Sequence, residues 1–338
     1  MSTGPDDTPR PYAYVAGRLA TGLVDTTSDP AALDSEGFWV VVQSFEGSLR
    51  CLRFDQVRTG PLPTSRPWQP LLGDWATSMD RASYTAAVRR VRSAIADGEV
   101  YQVNLCRRLS TALPGARDLT GLAARIQTGN PAPYFAVVQV PVAGIALVSA
   151  SPERFLSRDG RTVTTQPVKG TAVTAAAMLD KDVAENVMIV DMARNDLARV
   201  AEIGSVEVPQ LCRLEEHPGL VHLVSTVRAQ LRDGVGWPDI LSALTPAASI
   251  SGTPKLAALT QIAALEPVRR ETYCGFIGWV DADAVRADLA VAIRTFWHAE
   301  DELRFGTGAG ITWGSDPDGE WEETELKARH LVAQVTRT

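Results

Sequence analysis

Lys169 lies in the run Thr165-Gln166-Pro167-Val168-Lys169-Gly170-Thr171, so its amine is held on a short, stiff peptide between a proline and a Gly-Thr turn. Most lysines only solubilise a surface, and what raises the interest of this one is its company. Glu153 stands upstream in Ser151-Pro152-Glu153-Arg154-Phe155. Downstream, Asp182 and Glu185 are three residues apart on a predicted helix and share a face; Glu320 and Glu323 repeat the spacing, with Lys327 one turn further along. Either pair alone reads most simply as solvated or lysine-paired. Brought together, the pairs would form an oxygen-rich set with no Cys or His pattern nearby. Hard oxygen donors of this kind suit Mg²⁺, which takes few protein carboxylates and leaves positions for water and substrate. The composite site would bind a metal and an anion and present a nucleophilic amine.

Three further features belong to the same inventory. Arg294, in the apolar strand Ala292-Ile293-Arg294-Thr295-Phe296, is costly to bury unless it meets a carboxylate or phosphate, and a structural ion pair is the competing explanation. Gly306-Thr307-Gly308-Ala309-Gly310 lacks the helix and acidic residue of a dinucleotide fingerprint. It reads as a glycine-rich turn, either structural or one whose bare amides approach an anion. His222, in an apolar strand, is more simply a satisfied core histidine than a catalytic one.

These residues need a scaffold. With 338 residues and 45% hydrophobic content the chain can bury a large core. A net charge of −7 with scattered Lys and Arg excludes a nucleic-acid binder. No apolar run is long enough to span a bilayer, so no membrane role is expected. The widely spaced cysteines Cys51, Cys106, Cys212 and Cys274 and the polar, acidic N-terminus point to a reduced, cytoplasmic setting. Phe38–Val42 and Leu49–Phe54 read as a strand pair turning near Glu46-Gly47, and a loop carrying Pro61, Pro63, Pro67 and Pro70 follows. The expected organisation is a short N-terminal segment, 1–75, and a catalytic domain, 76–338. Tyr84, Val88, Val91 and Ile95 recur at helical spacing before a capping Gly98. Strands are expected at 101–109, 134–140, 145–150, 221–231, 276–281, 289–296 and 303–306, with helices at 182–197, 254–265 and from about 320. This mixed order lacks βα alternation and predicts an α+β fold with large antiparallel sheets flanked by helices.

Taken in order, the runs Tyr101-Gln102-Val103-Asn104-Leu105, Ser151–Phe155, Pro167–Thr171, Glu185–Asp191 through Arg194–Leu197, Val221–Ser225, Ser251-Gly252-Thr253-Pro254-Lys255, Gly308–Ile311 and Glu320–Thr324 resemble the chorismate-utilising enzymes. The resemblance runs from about Tyr84 to the end and implies the fold of anthranilate synthase component I. Members that activate water carry a lysine base where this chain has Gln102, and anthranilate synthases usually carry alanine where it has Lys169. Lysine there is the mark of the aminodeoxychorismate synthase component I branch, which converts chorismate and ammonia to 4-amino-4-deoxychorismate for 4-aminobenzoate and folate. The alternatives are an anthranilate synthase component I and a non-catalytic chorismate-binding regulatory subunit.

The resemblance also implies roles. Lys169 would attack C2 of chorismate, Glu153 would transfer a proton at the C4 oxygen, and His222 would line the C4 end. Glu185 and Glu323 would be direct Mg²⁺ ligands, supported through water by Asp182 and Glu320. Arg294 and Tyr273, with amides near Gly308 and Gly310, would engage the enolpyruvyl carboxylate. Lys327 would balance charge beside the metal, and Gln102 and Thr171 would contact substrate. No amidotransferase motif is found, so a separate glutamine amidotransferase subunit is expected to supply ammonia in a heterodimer. The chain departs from the family at Ala248, at Glu271, where relatives carry glycine after an arginine, and at Gly314.

Overall fold

The structure, a computed structural model, describes residues 10–63, 66–115, 118–172, 174–178, 180–217 and 220–336. Its elements in chain order are β1 (Tyr12–Val15), β2 (Arg18–Thr27), β3 (Phe38–Gln43), β4 (Leu49–Thr59), β5 (Ala76–Thr77), α1 (Arg81–Ala96), β6 (Gln102–Ala112), α2 (Thr120–Gly129), β7 (Tyr134–Val140), β8 (Ile145–Ser151), β9 (Arg154–Asp159), β10 (Thr162–Gln166) and β11 (Val168–Ala172). There follow α3 (Asp180–Ala198), β12 (Glu207–His217), β13 (Leu220–Gln230), α4 (Trp237–Leu244), α5 (Ala248–Ser251), β14 (Gly252–Thr253), α6 (Lys255–Leu265), β15 (Phe276–Asp281), β16 (Arg286–Val291), β17 (Thr295–Ala299), β18 (Glu302–Ile311) and α7 (Pro317–Thr336).

Every ladder among these strands is antiparallel. One arm of the sheet runs β6–β18–β17–β8–β7–β1, with β5 and β14 beside β6. Through β1–β2 it continues into a second arm, β2–β4–β3–β15–β16–β9–β10–β13, with β11 and β12 both on β13. The α+β expectation with large antiparallel sheets holds. Alternation along β7 shows how the arms pack. Ala136 and Val138 join the core between the arms, while Phe135 and Val137 face a second core under α2 and α7. A third cluster seats α1 and α6 on β6 and β18 through Tyr84, Val88, Val91, Leu105 and Ile262. The α1 start is fixed by Asp80, whose carboxylate accepts the Ser83 N–H at 2.8 Å, and Gly98 follows its end at φ +78°. Among the described residues no helix is long and apolar enough to cross a membrane.

Two expectations need correcting. The strand expected at 289–296 is two strands in different arms, because the chain crosses over at Ala292–Arg294 and Arg294 takes φ +54°, which ends the extended backbone. Arg294 therefore sits in a crossing, not in a strand. The glycine-rich segment 306–310 is not a turn: it lies within β18, opposite β6, with Gly308 facing Cys106 and Gly310 facing Asn104. The turn comes earlier, at Glu300 and Asp301, both at positive φ. Glycine is needed at 308 because a Cβ there would lie 2.6 Å from Cys106 Sγ and 2.7 Å from the Leu105 carbonyl oxygen.

Candidate active site

The chain passes between the two arms at β8–β9 and again at β16–β17, and each crossing carries one candidate residue, Glu153 and Arg294. The crossings brace each other. The Val291 N–H donates to the Glu153 carbonyl at 3.0 Å, the Ala150 N–H to the Arg294 carbonyl at 3.0 Å, and the Ser151 hydroxyl to the Val291 carbonyl at 2.6 Å. Glu153 is 5% exposed, and burial lifts its carboxyl to about 7. Hydrogen bonds from the Ser249 hydroxyl and the Val168 N–H, and the charges of Lys169 and Lys327, oppose that rise without cancelling it. Burial lowers the Arg294 guanidinium, with the Tyr273 phenol acting against it. Among the described residues no carboxylate forms an ion pair with Arg294. A buried guanidinium without a carboxylate is set for an anionic ligand. The ladder of β17 with β18 stops at Phe305, and among the described residues one edge of β18 has no strand partner from Gly306 onward.

Lys169 reaches the seam from the second arm. Asn186 holds its strand: the buried amide donates to the Lys169 carbonyl at 3.3 Å and to the Leu223 carbonyl at 2.8 Å, and it accepts from the Ser225 hydroxyl. Gly170 has φ +86°, and a Cβ on it would strike the Asp182 side chain at 2.8 Å. The Lys169 amine ends over β6 and β18. A Cβ placed on Gly310 would lie 3.0 Å from Lys169 Nζ, 2.7 Å from Gln102 Nε2 and 3.3 Å from Asn104 Oδ1. Gln102 is fully buried, and among the described residues neither atom of its amide has a hydrogen-bond partner. Such an orphaned amide beside an amine, over a bare glycine, marks space for a polar ligand. Burial lowers the Lys169 amine, the charge of Lys327 acts in the same sense, and Glu185, Glu153 and Glu323 act against them.

The two carboxylate helices approach the amine from opposite sides. α3 packs on β13 and β11, whereas α7 packs on β18 and α1. Glu185 from one and Glu323 from the other both act on Lys169 electrostatically. Lys327 clasps Glu323 at 2.6 Å and donates to the Gly308 carbonyl at 3.0 Å. Glu320 is buried, close enough to act on the Tyr84 phenol. Among the described residues no three His, Cys, Asp or Glu side chains gather as a ready-made metal nest. Two carboxylates from separate helices do fit a Mg²⁺ in donor type, because that ion keeps several waters and substrate oxygens.

Most of the expected residues thus lie near one another: Glu153, Glu185, Glu323, Lys327, Gln102 and Gly310 neighbour the Lys169 amine, Gly308 accepts from Lys327, and Tyr273 neighbours Arg294. Asp182 lies against Gly170. His222 is buried on β13 opposite Thr171, whose side chain falls outside the described residues. Three residues of the site escaped the sequence reading as individuals. Ser249 hydrogen-bonds the Glu153 carboxyl, and Asn104 Nδ2 donates to the Ser249 carbonyl at 3.1 Å. Asn186 anchors Lys169. The available signal was an uncharged polar residue inside an apolar run, which is weak without knowing what it faces. The Lys255 ammonium, 2.8 Å from Asp196, ties α6 to α3 behind the site, so those two motif residues are structural.

A two-armed antiparallel sheet brings an acid, an amine and an arginine to its seam, the equipment of an enzyme site for an anionic ligand. In fold it resembles the anthranilate synthase component I structure from Streptococcus pneumoniae, with a TM-score of 0.81 at 22% identity over 98% of this chain and 93% of that one. Residues 44–333 match the chorismate binding enzyme family, and the chain belongs to that family. It is 38% identical over 289 residues to anthranilate synthase component 1 of Streptomyces coelicolor, covering 82% of this chain and 56% of that protein. It is also 32% identical over 345 residues to aminodeoxychorismate synthase component 1 of Salmonella typhimurium, covering 95% and 75%. The chain spans little more than half the length of the anthranilate synthases from Streptomyces coelicolor and Haloarcula marismortui, 56% and 54%.

Proposed function

We propose that this protein is an aminodeoxychorismate synthase component I, converting chorismate and ammonia to 4-amino-4-deoxychorismate on the way to 4-aminobenzoate and folate. The observation that carries the reading is the Lys169 amine: it is lowered by burial and opens onto the bare face of Gly310 beside a carboxyl at about 7. An amine shifted toward its neutral form is a nucleophile, and a carboxyl near neutrality can give and take a proton. Lys169 Nζ bonds to C2 of chorismate, the ring double bonds shift, and the C4–O bond breaks. Glu153 protonates the departing hydroxyl, which leaves as water. Ammonia then bonds to C4, the double bonds shift back, and the C2–Nζ bond breaks to free the lysine.

Arg294 and Tyr273, with amides on the open edge of β18 near Gly308 and Gly310, hold the enolpyruvyl carboxylate. Gln102, a neutral amide, contacts substrate and cannot serve as the base that would activate water. Glu185 and Glu323, aided through water by Asp182 and Glu320, would hold Mg²⁺, which when bound supplies positive charge for the ring carboxylate. Lys327 balances charge beside them, His222 lines the C4 end and Thr171 contacts substrate. A glutamine amidotransferase subunit, in a cytoplasmic heterodimer, supplies the ammonia.

Product analysis tests the reading, using purified protein with chorismate, Mg²⁺ and ammonium, with and without aminodeoxychorismate lyase. 4-Aminobenzoate that forms only with the lyase is the expected result. Fluorescent anthranilate formed without the lyase would instead make the protein an anthranilate synthase component I. Tight chorismate binding without turnover would make it a regulatory subunit.

A further inference from the structure

Glu271 carries a long side chain on a backbone whose shape suits glycine. Its φ is +55°, in the left-handed region that larger residues rarely adopt unless their surroundings hold them there. The Phe45 N–H donates to the Glu271 carbonyl at 2.8 Å and the Arg270 N–H to the Glu46 carboxylate at 2.8 Å, and the Glu271 carboxylate adds the ties to the sheet. It accepts from Arg108 Nη1 on β6 at 2.9 Å, from Arg304 Nη1 on β18 at 2.8 and 3.0 Å, and from the Trp297 indole Nε1 on β17 at 2.7 Å. Three strands of the first arm therefore converge on one side chain of the loop Arg270–Gly275.

That loop also touches the seam. The Arg270 guanidinium donates to the carbonyls of Asn104 at 2.7 Å and Ile250 at 2.8 Å, both neighbours of Ser249, which hydrogen-bonds the Glu153 carboxyl. The Cys274 N–H donates to the Ala292 carbonyl at 3.0 Å, within the crossing that carries Arg294. Between these anchors, the Tyr273 ring packs on Gly306, where a Cβ would come within 2.0 Å of the ring. The height of the loop above β18 thus sets where the phenol stands relative to Arg294.

We propose that Glu271 is a positioning residue whose carboxylate clamps the Arg270–Gly275 loop to β6, β17 and β18 and so fixes Tyr273 against Arg294 in the pocket for the substrate's side-chain carboxylate. The inference rests on the reading of Tyr273 and Arg294 as the contacts of that carboxylate. The clamp is separable from the fold. Without the Glu271 carboxylate, Arg304 still pairs with Glu300 and Glu302, and glycine suits the backbone at this φ. Its loss should therefore loosen the loop rather than unfold the protein.

The test is steady-state kinetics with chorismate, Mg²⁺ and ammonium, alongside thermal unfolding. For Glu271→Gly, KM for chorismate should rise about tenfold while kcat stays within about twofold, the signature of lost substrate binding. Glu271→Gln keeps an acceptor oxygen but not the charge, and should give a smaller rise of about threefold. Arg294→Ala separates the two layers of the argument. If it raises KM while a folded Glu271→Gly keeps the wild-type KM, the clamp is wrong and the carboxylate pocket stands. If Arg294→Ala also leaves KM unchanged, the pocket reading falls and the clamp with it. Should Glu271→Gly fail to fold, Glu271→Gln decides: a wild-type KM there overturns the proposal.

Discussion

Two neighbouring lysines are held in opposite ways. Lys327, on α7, is half-exposed, clasps Glu323 at 2.6 Å and donates to a backbone carbonyl. Lys169, on β11, brings its amine over Gly310 among the buried amides of Gln102 and Asn104, where burial lowers it. One amine makes an ion pair with a carboxylate at contact distance. The other meets its carboxylates as neighbours, and desolvation outweighs them. The proposed chemistry, which needs a neutral amine, therefore points to Lys169, and the proposed role of Lys327 is charge balance.

The largest expected effect breaks this contrast at its reactive side. Lys169→Ala should lower formation of 4-amino-4-deoxychorismate by about a thousandfold or more, since no covalent route remains, whereas Lys327→Met should cost only about tenfold, mostly in KM. Chromatography of the products from both variants makes the comparison, and equal losses would show that the two amines do not differ in role. Mass spectrometry of quenched wild-type enzyme incubated with chorismate but no ammonia should show an adduct on the peptide containing Lys169; its repeated absence would argue against the covalent step.

Glu153 sharpens the comparison next. Glu153→Gln should lower kcat by about a hundredfold or more. In the wild type, activity that needs the protonated carboxyl should decline as pH rises through about 7. The same shift makes a stability statement. Because the folded carboxyl binds its proton more tightly than the unfolded one, stability is full below the unfolded value of 4.5 and is lost as pH rises through about 7. The loss is up to about 3 kcal/mol. Urea unfolding of the wild type between pH 4 and pH 8 should show that decline relative to Glu153→Gln, and parallel curves would remove burial of Glu153 from the account. The smallest effect is expected at Asn186. Asn186→Ala leaves the buried carbonyl of Leu223 and the Ser225 hydroxyl short of a partner, and should cost about 1–3 kcal/mol in denaturant unfolding.

How much of this is legible in the chain depends on the reach of each signal. The α3 and α7 carboxylates share a face because a helix repeats every few residues, and that much follows from spacing alone. The α+β class follows from the order of apolar runs. By contrast, Arg294 reads as a strand residue among apolar neighbours, and only the crossing between arms shows that its guanidinium stands at the seam. The glycines 306–310 read as a turn by composition, yet they form a strand because β6 pairs along their whole length and needs their bare faces. Ser249 and Asn104 carry no local mark, since their role exists only where two distant segments meet.

The sequence by itself settled the kinds of groups available and which of them lie on one face of one element: an amine on a short peptide, an isolated glutamate, and two carboxylate pairs at helical spacing. Tertiary structure alone decided which of them meet and in what state. Burial and the field of neighbouring charges shift a carboxyl toward neutrality and lower an amine, and both depend on atoms brought together from residues more than a hundred positions apart. Local propensity acts over a few residues; desolvation acts through space, and only the folded sheet, passing twice between its arms, brings Glu153, Lys169 and Arg294 to one seam.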